Sequence, residues 1–316
     1  MSHCRPRDHG AVADACPVCG ETAIRGNGLR SPDRLHGVPG SFSVVVCAAC
    51  GAGRTLPPAS SEELGAFYPT SYAAHVLERV LLGRAQEHGR RLIVDRSFAR
   101  APLSALNRLP TGAVLDVGCG RGDLGAALVR RGWRVTGIDP SDQACAVART
   151  RGMETRVATL ESAMLADESF DVVVMSHSLE HVAEPRADLA RVRRLLRPGG
   201  LLLISVPNFG SWQRERFGAE WFALDVPRHR THFTPRSLAH ALQGEGFELV
   251  SMRATSSSGV LVATLQYVVA GRLILTQAPA AWLSYVFAVL LAPVNRLGDR
   301  LRGGRALLDV VARRPV

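Results

Sequence analysis

A doubly wound α/β fold is predicted for this chain by three observations. Apolar runs alternate with helical patterns from Ala113 onward, a glycine-rich turn follows the first run, and a carboxylate closes the second. The runs fall near 114–117, 134–138, 155–158, 172–175, 201–206 and 247–252, and each reads as a strand. Helix starts lie between them: Ser141-Asp142 caps one, Glu184-Pro185 opens another, and Thr234-Pro235 puts proline at the first helical position of a third. Arg197-Pro198-Gly199-Gly200 separates the second of these helices from the next strand.

At 316 residues and 47% hydrophobic, the chain can bury one large core and a small satellite module. The formal charge of +10 raises the question of nucleic acid. All 38 basic residues are arginine, however, and they are scattered without the interleaved aromatics that single-strand binders use. A solvated basic surface is the expected reading, and nucleic acid is not an expected partner. The region around His3, Cys4, Arg5 and Asp8 has no apolar signal segment, so a cytoplasmic location with reduced thiols is expected.

Seven cysteines in a reducing compartment point to metal before disulfide. Cys16-Pro-Val-Cys19-Gly and Cys47-Ala-Ala-Cys50-Gly form two CxxC knuckles with 27 residues between them, expected to loop out freely. Four thiolates suit tetrahedral zinc and leave no position for water, so Cys16, Cys19, Cys47 and Cys50 are read as a structural zinc ribbon. The alternating Phe42-Ser-Val-Val-Val46 is the strand that delivers the second knuckle.

The chemistry starts at Asp116-Val-Gly118-Cys-Gly120-Arg-Gly122, where glycines let a ligand lie on the backbone. Asp139, in Gly137-Ile-Asp139-Pro140, can accept ribose hydroxyls. A nicotinamide fingerprint would need glycine where Asp123 stands, so the GxGxG pattern favours a nucleoside without pyrophosphate.

With Ser169-Phe170-Asp171-Val-Val-Val174, Met175-Ser-His177-Ser-Leu-Glu180-His181 and Arg197-Pro-Gly-Gly200, the stretch from Asp116 to Asn208 resembles class I S-adenosylmethionine-dependent methyltransferases of the ubiquinone and menaquinone biosynthesis type. Forward of it, the CxxCG knuckle, Leu56-Pro57-Pro58, Glu62-Glu63-Leu64, Tyr68-Pro69 and Tyr72 resemble methyltransferases with an amino-terminal zinc ribbon. The resemblance implies a seven-stranded Rossmann-like sheet and S-adenosylmethionine as cofactor. It implies that Asp116, Gly118 and Gly120 line the methionine part, that Asp139 holds the ribose, that Leu160 and Glu161 border the adenine, and that His177 lies near the methionyl end. Tyr68, Tyr72 and His75 are candidates for a cover over the cofactor, with Tyr72 counted among the binding residues.

After the fifth strand, a long aromatic-rich loop runs from Pro207 to Pro235 and leaves the carboxyl edge of the sheet, where such folds bind ligands. It suggests a lid, and its His229 and His232 are candidate general bases. The alternative is that His232 packs beneath the next helix while Arg228 and Arg230 meet an acidic substrate or water. Glu180 and His181 are set aside as metal ligands, being two neighbours expected to project in different directions.

Between Arg253 and Arg296 the only formal charge is Arg272. Residues 259–270 and 280–292 read as apolar helices, the second ended by Pro293 and only about 20 Å long, short of a bilayer core. Peripheral membrane contact with Trp282, Tyr285, Arg296, Arg300 and Arg302 is favoured, over a homodimer interface or a cap on an apolar substrate. Residues 306–312 fit a last strand inserted antiparallel. The expected organisation is therefore a zinc ribbon at 12–56, a helical linker and cofactor cover at 57–110, a cofactor-binding core at 111–256, an apolar helical insertion at 257–304, and the final strand and tail at 305–316. The expected reaction is methyl transfer to a small-molecule, lipid-linked or sugar acceptor. The alternative is a zinc-ribbon adaptor with a non-catalytic domain, docking on nucleic acid or protein.

Overall fold

The structure, a computed structural model, describes residues 15–58, 67–68, 94–95, 97–100, 102–274 and 281–316. Tyr72, His75 and most of the expected linker at 57–110 lie outside the described residues.

Strand β1 (Ile24–Ser31) runs antiparallel to β2 (Phe42–Cys47), which pairs with β3 (Gly53–Leu56). The stretch between the two knuckles therefore does not loop out freely. Its first part pairs along β2 from Ile24 opposite Cys47 to Ser31 opposite Phe42, which satisfies backbone groups a free loop would leave to water.

The main sheet begins with β4 (Ala113–Val117), helix α1 (Asp123–Val129), β5 (Arg134–Asp139), α2 (Asp142–Thr150) and β6 (Glu154–Val157). The chain returns through β7 (Phe170–Ser176), α3 (Pro185–Leu195) and β8 (Leu196–Pro207). Next come α4 (Trp212–Phe217), the two-residue strand β9 (Thr231–His232), α5 (Pro235–Gly244) and β10 (Glu248–Thr255). Helices α6 (Ser258–Ala270), α7 (Ala281–Leu290) and α8 (Ala292–Arg302) precede the last strand, β11 (Leu307–Arg313).

Seven strands lie in the order β10-β11-β8-β7-β4-β5-β6. β11 is antiparallel to both its neighbours, and the pairs from β8 across to β6 are parallel. Order reverses between β4 and β7, and the carboxyl ends there open the crevice in which such sheets take ligands.

Successive strand residues point to opposite faces, and the core divides accordingly. Leu115, Val173, Leu202 and Val310 pack with Leu189 and Val192 of α3 and Leu238 and Leu242 of α5. Val114, Val172, Leu203 and Val311 form the other cluster with Ala127 and Leu128 of α1 and Ala148 of α2. The first cluster also takes in Cys16, Cys47 and Cys50, so the ribbon shares the main core.

The expected helix starts are formed as read. Ser141 Oγ accepts from Ala144 N–H, and Thr234 and Ser237 make a reciprocal capping box ahead of Pro235. Pro293 departs from expectation: it lies in the first turn of α8, where its missing N–H costs nothing, so it opens a helix instead of ending one. Among the described residues no helix is long and apolar enough to cross a membrane.

Candidate active site and metal-binding ribbon

In the ribbon, Sγ of Cys16 lies 3.6 Å from that of Cys50, and Sγ of Cys19 lies 3.5 Å from that of Cys47. All four sulfurs fall within 4.8 Å of one another. Zinc–sulfur bonds of about 2.3 Å place tetrahedral thiolates about 3.8 Å apart, so this donor set fits zinc.

The ribbon is bonded into the loop after β8. Residues Gly53 and Arg54 of β3 pair antiparallel with His232 and Thr231 of β9, and Thr55 N–H donates to the Arg230 carbonyl at 3.0 Å. A salt bridge fixes the same contact from the other side. Arg228 donates to Asp33 at 2.6 and 3.1 Å and to Asp225 at 2.6 and 3.0 Å, with the Arg228 and Asp33 side chains fully buried. Burial alone would raise the Asp33 carboxyl, but the Arg228 guanidinium and the backbone N–H groups of His36 and Val38 hold it below its ordinary value. Arg228 thus meets neither substrate nor water, because its charge is neutralised inside the protein.

At the sheet's carboxyl edge, Gly118 (φ +70°) and Gly120 (φ +50°) turn the chain away from β4. Both need glycine for backbone reasons, and they differ in surroundings. A Cβ on Gly118 would meet Ser178 Cβ at 2.8 Å, whereas Gly120 faces open space. Asp139 holds this turn, one carboxylate oxygen accepting from Gly120 N–H and the other from Ser141 N–H, both at 2.9 Å. Each oxygen keeps a further lone pair for a ligand hydroxyl. A bare backbone facing open space between two acids fits an adenosyl cofactor.

Asp116 is 3% exposed, and burial, followed by the charge of Asp139, raises its carboxyl from 3.8 to about 7. A carboxyl raised on folding favours the fold at low pH, and that contribution is lost as pH climbs from about 4 through 7. Asp116→Asn removes the loss. In cofactor-free protein it should therefore raise stability at pH 8 by on the order of 2 kcal/mol and change little at pH 4. Melting curves at the two pH values check this; equal curves for parent and variant at pH 8 would contradict it.

From Gly118 the site continues through Ser178 into a turn of 3₁₀ helix, Leu179–His181. His177 (φ +54°) is half exposed, and its Nδ1 donates to Glu180 Oε1 at 3.3 Å. Burial would raise the Glu180 carboxyl, but the hydrogen bond and charge of His177, with His181 and His229 nearby, bring it down to about 2. Burial and the neighbouring His229 lower His181 to about 4, and its Nδ1 hydrogen-bonds the Tyr68 hydroxyl at 2.9 Å.

From the loop, Arg230 N–H donates to the Glu180 carbonyl at 2.8 Å and the His229 ring lies 4.6 Å from that of His181. His229 Nδ1 lies 2.9 Å from the Ala223 carbonyl and must donate to it, which leaves the lone pair on Nε2. That nitrogen stands 3.9 Å from Glu180 Oε1 and 3.8 Å from Asp225 Oδ2. One carboxylate oxygen and two imidazole nitrogens from Glu180, His181 and His229 fall within 4.8 Å, a set that could also hold a divalent ion. Glu180 and His181 do not diverge as expected, because a 3₁₀ turn and not an α-helix carries them.

The remaining expected residues are more scattered. His232 is buried in β9, its Nε2 3.0 Å from Thr55 Oγ1 and its ring against Phe209. Thr55 gives its own proton to the His229 carbonyl at 2.6 Å, so His232 is the donor to Thr55. Leu160 packs into the core with Ile138, while Glu161 points outward towards Arg191 at 3.6 Å. Asp33, Asp225 and Thr55 were not anticipated from the sequence. Each acts through a partner distant in the chain or through backbone geometry that no local motif carries.

Residues 86–252, more than half the chain, match a family model described as a methyltransferase domain. The ubiquinone biosynthesis O-methyltransferase of Hahella chejuensis is 36% identical over 167 residues, 48% of this chain and 70% of that protein. That of Xanthomonas oryzae pv. oryzae (strain PXO99A) is 35% identical over 180 residues, 49% of this chain and 75% of that protein. The solved structure of the [4+2]-cyclase SpnF aligns with a TM-score of 0.53 at 22% identity, covering 82% of this chain and 97% of its own, a likeness of fold alone. The glycine turn, the acids at the ends of β4 and β5, and these matches agree: the chain belongs to the methyltransferase family, as an enzyme that uses S-adenosylmethionine.

Proposed function

We propose that the enzyme methylates a hydroxyl of a lipid-linked small molecule, with His229 as general base and with zinc in the ribbon as a structural ion. The observation that carries this reading is the tautomer of His229, whose Nε2 faces the carboxylates of Asp225 and of Glu180, two residues after the Ser178 that packs against Gly118. A hydroxyl is a weak nucleophile, so a base matters for it more than for an amine or thiol. The two relatives named as ubiquinone biosynthesis O-methyltransferases support oxygen and a lipid-linked acceptor; a sugar is the next candidate.

S-adenosylmethionine, when bound, supplies a methyl group already activated on a sulfonium. Asp139 would hold the ribose while keeping the glycine turn in place, and Asp116 would face the methionine part. His229 Nε2 would accept the proton of the acceptor hydroxyl as that oxygen takes the methyl group. Glu180 and Asp225 then stabilise the imidazolium.

Transfer of labelled methyl into a cell extract, separated into lipid, sugar and macromolecular pools, tests the acceptor. Label is expected in the lipid pool, and label in RNA overturns the reading. Calorimetry with S-adenosylmethionine should show binding about 10- to 100-fold weaker for Asp139→Ala, the loss expected for hydrogen bonds to a charged group. Unchanged affinity would remove the assigned cofactor site.

A further inference from the structure

Helix α8 turns two polar residues inward and several apolar ones outward. Asn295 is fully buried and accepts from Gln213 at 2.8 Å. Asp299 accepts from the Trp212 indole N–H at 2.9 Å and also from the Ser256 hydroxyl. Gly298 lies close enough to the Trp212 ring that a Cβ there would meet it at 2.7 Å. Apolar residues face out, flanked by the exposed Arg296 and Arg300. Val294, Leu297 and Leu301, three and four apart on one face, are 56%, 54% and 75% exposed.

The preceding helix extends the same surface. α7 has no charged residue, and its Tyr285, Phe287, Val289 and Leu290 are all exposed. Leu291 N–H donates to the Phe287 carbonyl and Asn295 N–H to that of Leu291, so the two helices join with almost no break. Soluble proteins rarely leave so many large apolar side chains together in water, so this surface has an occupant.

Charge selects which one. From 257 to 305 the chain carries Arg272, Arg296, Arg300, Arg302 and Arg305, while its one acid, Asp299, is buried and paired. A second copy docking through a two-fold axis would bring arginines against arginines with no exposed acid to meet them. An anionic lipid surface complements both features at once. At 10 and 11 residues, α7 and α8 are too short to span a hydrocarbon core of about 30 Å. They suit burial of an apolar face at the acyl boundary, with arginine heads at the phosphates.

We propose that α7 and α8 form a docking surface for an anionic bilayer, Val294, Leu297 and Leu301 entering the interface and Arg296 and Arg300 binding lipid phosphates. This is independent of the acceptor proposed above, since it concerns where the enzyme sits and not what it methylates.

Flotation of the full-length enzyme with vesicles tests it. Vesicles containing phosphatidylglycerol should carry the protein up, and phosphatidylcholine vesicles should carry little. At about 1 kcal/mol for each basic residue near such a surface, Arg296→Gln with Arg300→Gln should weaken partition to phosphatidylglycerol about 30-fold. Leu297→Glu with Leu301→Glu should abolish it. Calorimetric binding of S-adenosylmethionine should be unchanged in both double variants, which shows that they are folded. Flotation of the parent that is absent, or that neither pair of substitutions weakens, overturns the proposal. So does a parent dimer in sedimentation that the leucine substitutions dissociate, because a second copy would then be the occupant.

Discussion

Asp33→Ala is expected to destabilise the enzyme by about 3–5 kcal/mol, the range for removing one partner of a buried ion pair. Asp33 receives two guanidinium bonds from Arg228 and three backbone N–H bonds, from Leu35, His36 and Val38. Alanine would leave a fully buried cation with Asp225 as its remaining carboxylate, and would leave three donors of the turn after β1 without an acceptor. The cost extends to function. Arg228 adjoins His229, and Asp225, which Arg228 holds, is one of the two carboxylates facing His229 Nε2. kcat should therefore fall more than the affinity for S-adenosylmethionine, whose proposed site is at β4 and β5. Urea denaturation gives the stability, and kcat measured beside cofactor affinity gives the functional split. Asp33→Asn, which keeps the shape and loses the charge, should lie between parent and Asp33→Ala. A stability change below about 1 kcal/mol for Asp33→Ala, the level of an exposed pair, would contradict the assignment.

What the sequence made legible was local. The glycine turn and Asp139 could be read because their spacing reflects one strand-turn-helix unit and the strand after it, and the structure joins them through the Gly120–Asp139 hydrogen bond. The four cysteines could be read because two short knuckles are complete in themselves, and their sulfurs do converge. Strand β11 was visible from its apolar run, although its place between β8 and β10 depends on the whole sheet. Contacts between distant segments were hidden. Asp33 and Arg228 are 195 residues apart, and nothing near either one signals the other. β9 has only two residues, too few to leave a periodic pattern, yet through it the ribbon is hydrogen-bonded to the segment that bears His229. That α8 buries Asn295 and Asp299 and exposes Val294, Leu297 and Leu301 was equally hidden, because a sequence shows which faces a helix has and not which of them the fold buries.

His229→Ala should lower kcat by about 10²- to 10⁴-fold, the contribution of a positioned general base, while cofactor affinity stays near that of the parent. Three oxygens prepare His229 for this role. The Ala223 carbonyl fixes the proton on Nδ1, and the carboxylates of Glu180 and Asp225 wait within 4 Å of Nε2 to offset the positive charge it gains. His232, the other histidine of the loop, lacks this arrangement. It is sealed in β9, burial pushes its pKa well below the ordinary value, and its Nε2 is committed to Thr55. His232→Gln should thus act on stability more than on kcat. Added imidazole separates a base from a structural role at position 229, because it should restore turnover to His229→Ala in proportion to its concentration and do nothing for a variant that had merely lost packing. A second possibility has its own signature. If Glu180, His181 and His229 instead hold a divalent cation, turnover of enzyme whose ribbon keeps its zinc should depend on added magnesium or manganese, and imidazole should rescue nothing. Turnover indifferent to those ions, together with imidazole rescue, assigns the proton transfer to His229. Full turnover of His229→Ala would leave alignment of the acceptor as the enzyme's main contribution to the reaction.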